Sequence, residues 1–403
     1  MPSLTQIRAL TLVADGDGYV VGSPHTAEYV EVPPLGARII EWLQEGVDVA
    51  ECERRAAEAA GEPVDVPGFL TTLADEGLFA EAAGEGGGGD AGFRVRRRAG
   101  AALFHPLAWA VYALAALAVP VLLVAVPSLR PSYRDGFPFH TQLLNLVAVS
   151  ALGIAAAALH EAAHVLAAAR HGLRSRLAVT RRLYFVTFQA DLTRLWSLPR
   201  RARYGPLLAG VAWDLAVLAA ALLAQASLAG ALGPMVVRLL RALVLLQVTA
   251  LVAQLLVFMR TDAYALLVNA TGCKTLWATK GALLRRYLRR ATPADEEHLA
   301  GTAAGEIAWA RRYLWLYVPG IALALGYFAT FAVPGTLYLV RLCLAPIRTG
   351  GLGTAAAWAG LAALLIAVVP SLLALLGAAR SGLRVLRTAT MRRQARRPAD
   401  LPL

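Results

Sequence analysis

Residues 159–168 read LHEAAHVLAA and lie in an apolar run that begins near Leu143. A run of this length is typical of a helix that crosses a bilayer, because a hydrocarbon core of about 30 Å needs about 20 helical residues. His160, Glu161 and His164 interrupt the run. Each ionisable group in a bilayer costs about 2.5 kcal/mol or more unless it is paired or used. The stretch therefore predicts a membrane helix with a functional site, rather than three residues that only pack.

The spacing of the two histidines predicts a metal site. His160 and His164 are four residues apart, so a helix places both imidazoles on one face, as an HExxH zinc site requires. Glu161 projects from the neighbouring surface, where it can act as general base on a metal-activated water without ligating the metal. A catalytic zinc commonly has three protein ligands and a water. We therefore predict that the histidines bind Zn²⁺ and that a third ligand comes from elsewhere.

The composition indicates a membrane protein. Of 403 residues, 58% are hydrophobic and 16% are charged, whereas a soluble protein usually has about 25% charged residues. The net charge of +12 does not indicate nucleic-acid binding, because the arginines cluster beside apolar spans, where basic residues mark the cytoplasmic side. We therefore expect the lipid bilayer, and no nucleic acid, among the partners.

Six apolar segments predict a polytopic α-helical membrane protein. They are 103–126, 142–168, 205–230, 236–258, 313–342 and 354–378, with Pro334 and Gly335 interrupting the fifth. Nine arginines in 170–203 and seven in 380–397 predict that both termini are cytoplasmic. The arginine- and alanine-rich composition favours a bacterial source, so the expected location is the bacterial cytoplasmic membrane.

This topology narrows the search for the third ligand. The second and fourth spans both run from outside to inside, so the histidines and the residues that follow the fourth span share the cytoplasmic half. Asp262 follows the fourth span and is the only carboxylate between Asp214 and Asp295. Because a carboxylate is a normal third ligand of zinc, we predict that Asp262 completes the site. The alternative is a helix-end aspartate that faces water.

The N-terminal residues predict a small cytoplasmic α+β domain of winged-helix-like character. The expected elements are strands at 18–22 (GYVVG) and 28–32 (EYVEV) and helices at 33–46, 48–61 and 65–77. The predicted organisation is this domain at 1–80, a glycine-rich linker at 81–98, a six-helix membrane domain at 99–380 with its core at 140–270, and a basic tail at 381–403.

Residues 140–270 resemble the site-2-protease-like family of intramembrane zinc metalloproteases. The resemblance is carried by LHEAAHVLAAARHG (159–172), GPLLAGVAWDLAVL (205–218) and FMRTDAYALL (258–267). It implies a membrane zinc metalloendopeptidase that hydrolyses a peptide bond of a peptide or membrane-protein substrate near the cytoplasmic face.

Two positions depart from the family pattern. Asp262-Ala263 stands where the family has Asp-Gly, and Gly210-Val211 stands where its middle helix has Gly-Pro. Neither departure removes a ligand. Both favour an alternative function, in which the chain is a non-catalytic membrane module. Such a module would bind a peptide and aid peptide maturation, peptide export or immunity.

Two further polar residues are candidates for supporting roles. Asp214, in the third span, can hydrogen-bond the site or pair with a neighbouring helix. Asp191 lies in VTFQADLTRLWSLPRRAR (186–203), which resembles a cytoplasmic segment of peptide-maturation relatives, and it can bridge to the arginine-rich loop or help a substrate dock. Interhelical hydrogen bonds are expected from Asn145, Gln247 and Gln254.

The N-terminal domain resembles the small PqqD-like peptide-recognition domains of modified-peptide biosynthesis. The resemblance rests on two strands followed by PPLGARIIEWL (33–43) and DVPGFLTTLADEGLF (65–79). It implies that a leader peptide adds as a strand to the sheet edge, at GYVVG or its neighbour, and that peptide-maturation proteins are partners. The alternative is an ordinary cytoplasmic accessory domain.

Overall fold

The described part of the chain is mainly helical, with a small sheet domain at its N-terminal end. The structure is a computed structural model. It describes residues 2–16, 18–23, 26, 28–79, 90–182, 185–228, 230–256, 261–273, 275–367 and 369.

The N-terminal domain is built on a three-stranded antiparallel sheet. Its strands are β1 (Thr11–Asp15), β2 (Gly18–Ser23) and β3 (Glu28–Val32), in the order β1-β2-β3. Gly16 adopts a φ of +68° in the tight turn between β1 and β2, a conformation that glycine tolerates without steric cost. The predicted strand GYVVG is therefore central, so the outer edges belong to its neighbours, β1 and β3. The sequence analysis missed β1, which completes the sheet.

Four helices pack with this sheet around one apolar core. They are α1 (Leu4–Arg8), α2 (Pro34–Glu45), α3 (Val49–Ala60) and α4 (Val66–Asp75). The last three agree with the predicted helices, because aspartate side chains cap the N-termini of α3 and α4 and left-handed glycines end α2 and α3. Val21, Ile40, Leu43 and Leu70 are among the fully buried side chains of the core.

Helix α5 (Asp90–Leu103) occupies the second half of the predicted linker. Residues 81–89 lie outside the described residues, whereas 90–98, which we expected to be part of a glycine-rich linker, are helical. Arginine and alanine, which are good helix formers, dominate this part of the segment. The helix is also held by packing: a Cβ on Gly100 would overlap the backbone of Leu166, so this glycine lets α5 lie directly against the long helix Gln142–Arg170.

Among the described residues, five helical stretches are long and apolar enough to cross a membrane. They are α6 (Pro106–Ala125), α7 (Gln142–Arg170), α8 (Arg200–Leu228), α9 (Pro234–Gln254) and the 47-residue stretch Ala304–Gly350. The first four correspond to the first four predicted spans.

The fifth stretch is longer than the predicted fifth span. It comprises α13 (Ala304–Tyr327), a π-helical turn (Phe328–Ala332) and α14 (Val333–Gly350). A π turn directly before Pro334 breaks the regular α-helix near the predicted interruption, and the helical path continues into α14. The predicted sixth span is described only as α15 (Ala355–Ala367); its remainder and the basic tail lie outside the described residues.

Two sets of smaller elements connect the long helices. Between α7 and α8 lie the antiparallel hairpin β4 (Leu177–Arg182) and β5 (Phe185–Ala190) and the 3-10 turn Thr193–Ser197, none of which the sequence analysis predicted. After α9 come α10 (Asp262–Thr271), α11 (Leu276–Tyr287) and α12 (Pro293–Gly301).

Helix α8 is the centre of the helical domain. It contacts α6, α7, α9 and α10. In its most apolar 18-residue segment, 44% of the residues are buried, against 11–17% in the corresponding segments of α6, α7 and α9. The other three helices therefore turn most of their apolar surface outward, and α8 is the element against which a site is assembled.

Candidate metal centre

The structure brings the three predicted ligands together. His160 Nε2 lies 3.0 Å from Asp262 Oδ2, and His164 Nε2 lies 3.2 Å from the same oxygen. The two Nε2 atoms are 3.2 Å apart. Donors bound to zinc at its usual distances in a tetrahedron are separated by about 3.3 Å, so the three atoms already form a triangle of nearly the required size.

Small residues bring α7 and α8 close enough to build this site. Ala163 and Ala167 of α7 are buried in one cluster with Ala209 and Ala212 of α8. Small side chains at a helix interface let the two backbones approach closely. The histidines one turn away are thereby directed at the backbone of α8.

Gly210 leaves the space in front of the histidines open. A Cβ at this position would lie 2.5 Å from both His160 Nε2 and His164 Nε2. The three donor atoms fit a metal ion, and so does this open space, which any side chain at position 210 would fill. Gly210 was noted in the sequence as part of a departure from the family pattern; the glycine itself is what the site requires.

Both imidazoles are held by their other ring nitrogen. His160 Nδ1 lies 2.7 Å from Asp214 Oδ2, and His164 Nδ1 lies 2.7 Å from the carbonyl oxygen of Pro206. Because both partners are acceptors, each Nδ1 carries the proton and each Nε2 presents its lone pair to the centre. Of the two roles considered for Asp214, the structure places it on the histidine.

The candidate third ligand, Asp262, is oriented by Gln254, which the sequence analysis did not include in the site. Gln254 Oε1 accepts the backbone N–H of Asp262 at 3.0 Å, and its carbonyl oxygen accepts the hydroxyl of Thr261 at 2.7 Å. Its Nε2 lies 3.5 Å from His160 Nε2. The available signal was a polar side chain in an apolar span, eight residues before Asp262.

The centre is closed around the histidines and open beside Asp262. The side chains of His160 and His164 are 9% and 2% exposed, whereas that of Asp262 is 26% exposed. As a metal ligand, Asp262 would bind as the ionised carboxylate.

Glu161 is positioned by the hairpin between α7 and α8. The backbone N–H of Ala190, the last residue of β5, donates to Glu161 Oε2 at 2.7 Å. The carboxylate is thus held beside the ligand-bearing face of α7 without being one of the three clustered donors.

Asp191 does not join the centre. Its side chain accepts hydrogen bonds from the N–H and the hydroxyl of Thr193, at 3.1 and 2.8 Å, and the residue is exposed. Its described contacts stabilise the turn that follows β5, so the structure gives it a local role in the loop.

Comparisons with protein-family models, with curated proteins and with solved structures found no match to this chain.

Proposed function

We propose that the chain is a zinc-dependent metalloendopeptidase of the bacterial cytoplasmic membrane, which hydrolyses a peptide bond near the cytoplasmic face. The observation that carries the proposal is the triangle of His160, His164 and Asp262 donors, with the imidazoles held through Nδ1. A glutamate adjacent in sequence to the first histidine completes the requirements of metal-assisted hydrolysis.

Membrane placement is supported by the outward surface of the long helices. Leu107, Leu114 and Val121 follow one another at heptad spacing on α6 and are 73%, 66% and 63% exposed. Side chains of this kind on the outside of a bundle are suited to lipid. Because the arginine-rich segments follow every second span, they lie on one side of the membrane, which places both termini in the cytoplasm.

The residues of the centre have distinct roles in this reaction. Zn²⁺, when held by the three ligands, supplies a Lewis acid that polarises the scissile carbonyl and makes water more acidic. Glu161 takes the proton from the attacking water and gives it to the leaving amine. Gln254 places its amide nitrogen 3.5 Å from His160 Nε2, where its N–H groups can donate to the oxygen that becomes negatively charged.

Metal analysis of the detergent-purified chain tests this function. We expect one zinc per chain in the wild type and loss of zinc in His160→Ala and Asp262→Ala. His171→Ala is the matched control, because His171 is exposed at the end of the same helix. Glu161→Gln should retain zinc and abolish cleavage. A wild type without zinc, or a Glu161→Gln variant that still cleaves, contradicts the proposal.

A second candidate is a membrane module that binds a peptide without cleaving it. The N-terminal sheet favours it, since the outer edges of β1 and β3 pair with no other described strand and an extended leader peptide can add to such an edge. Partner proteins of peptide maturation would then supply the chemistry. Peptide binding by a purified chain that holds no metal supports this candidate over the peptidase.

A further inference from the structure

The N-terminal domain packs on the segment that directly precedes the central helix α8. Strands β1, β2 and β3 all contact the 3-10 turn Thr193–Ser197, and Leu195 in this turn is 4% exposed. The turn lies between Ala190, which holds Glu161, and the first residues of α8. The domain therefore packs on a short stretch that is linked to the candidate centre at both ends.

A buried carboxylate joins the domain to α8. Asp15, the last residue of β1, places Oδ2 3.0 Å from Arg203 Nη1 and Oδ1 3.4 Å from Arg200 Nε. The side chains of Asp15 and Arg203 are 7% and 3% exposed. The guanidinium of Arg203 is further held by the carbonyl oxygens of Trp196 and Leu198. With Arg203 fixed in this way, Asp15 holds a defined place against α8.

Arg200 continues the connection from Asp15 to α10. Its Nε and Nη2 donate to the carbonyl oxygen of Asn269 at 3.1 and 2.6 Å, and Asn269 Nδ2 donates back to the carbonyl oxygen of Arg200 at 3.1 Å. Gly272, which ends α10 in a left-handed conformation, admits the guanidinium: a Cβ there would lie 2.8 Å from Arg200 Nη2. Arg200 is thus clamped to the last turn of a helix whose first residue is the candidate ligand Asp262.

We propose that Asp15 is a positioning residue for the metal centre. By holding Arg200 against α10, the docked N-terminal domain keeps Asp262 in place beside His160 and His164, so undocking of the domain weakens metal binding. This regulation of the centre rests on the proposed metal site. It goes beyond peptide recognition, because the domain acts on the centre through its contacts with the 3-10 turn and α8 and not through a bound peptide.

The test is Asp15→Asn in the full chain, which keeps the size of the side chain and removes its charge. We expect Zn²⁺ affinity, measured by competition with a chromophoric chelator, to fall about tenfold, in the lower range for residues that support metal ligands from outside. Hydrogen exchange of the amides in 262–271 should rise in the same variant. Asp75→Asn is the matched control, an exposed aspartate of the same domain, and should match the wild type in both measurements.

A second variant alters the contact between Asp15 and Arg200 without changing the N-terminal domain itself. Arg200→Lys keeps a cation near Asp15 but cannot donate twice to the carbonyl oxygen of Asn269, so it should also loosen 262–271 and lower Zn²⁺ affinity. The inference is overturned if either folded variant keeps wild-type exchange in 262–271. Failure of the proposed function has a different signature, a wild type that binds no zinc, and the exchange measurement remains decisive in that case.

Discussion

His160 Nδ1 lies 2.7 Å from Asp214 Oδ2, so a carboxylate on the central helix orients the first candidate ligand on its neighbour. Asp214 is 2% exposed, and its other oxygen has no hydrogen-bond partner among the described residues. Among the described contacts, the hydrogen bond to the imidazole is therefore the one that offsets the cost of burying this carboxylate.

We expect Asp214→Asn to lower Zn²⁺ affinity by about 10- to 100-fold, because a neutral amide holds the Nδ1–H of His160 less firmly and makes the imidazole a poorer ligand. Chelator competition on the purified chain measures the change. Asp191→Asn is the control, since this exposed aspartate contacts Thr193. Equal affinity of the Asp214 variant and the wild type would show that Asp214 only packs.

Gly210→Ala should abolish metal binding while leaving the fold intact. The new Cβ would lie 2.5 Å from the Nε2 atoms of both histidines and fill the space an ion needs, whereas alanine in a helix is favoured over glycine by about 1 kcal/mol. Zinc content and thermal unfolding of the same samples test both halves of the prediction.

Gly205→Ala is the matched control for that change. It lies on the same helix, and its Cβ would meet its nearest neighbour, Trp109, at an ordinary contact distance of 4.0 Å. Zinc should be retained in this variant. Loss of zinc from both variants would mean that alanine disturbs α8 itself.

Two substitutions of Gln254 should differ in their effect on the metal. Gln254→Ala removes the acceptor of the Asp262 N–H and should lower Zn²⁺ affinity about tenfold, as the loss of other supporting residues does. Gln254→Glu keeps an oxygen acceptor at that place and should stay at or above the wild-type affinity. If both variants bind zinc like the wild type, Gln254 does not orient the ligand.

Cysteine labelling in intact cells tests the predicted topology. His140 is exposed before α7 and Glu297 is exposed on α12. A membrane-impermeant maleimide should label His140→Cys in intact cells and Glu297→Cys only after permeabilisation. The unsubstituted chain is the control, because Cys52, Cys273 and Cys343 are buried. The reverse pattern would invert the chain in the membrane and move the centre to the other face.

Much of the N-terminal domain could be predicted because its signals are local. Asp48 and Asp65 start helices, and Gly46 and Gly61 end them, through bonds within a few residues of each position. Strand β1 escaped prediction because its five residues carry no clear alternation and are stabilised by pairing with β2. The helix over 90–98 escaped for a similar reason, since close packing against α7 at Gly100 reinforces it.

By itself, the sequence determined what depends on helix geometry and charge. The spacing of His160 and His164 puts both on one face of a helix, and the topology points to Asp262 as the carboxylate at matching depth. The tertiary structure decided which groups support them. Asp214 is 54 residues from the histidine it holds, and Asp15 is 188 residues from Arg203. The first pair follows from the close packing of α7 on α8, and both pairs follow from the need to pair buried polar groups. Contacts of this kind leave no periodic signal along the chain.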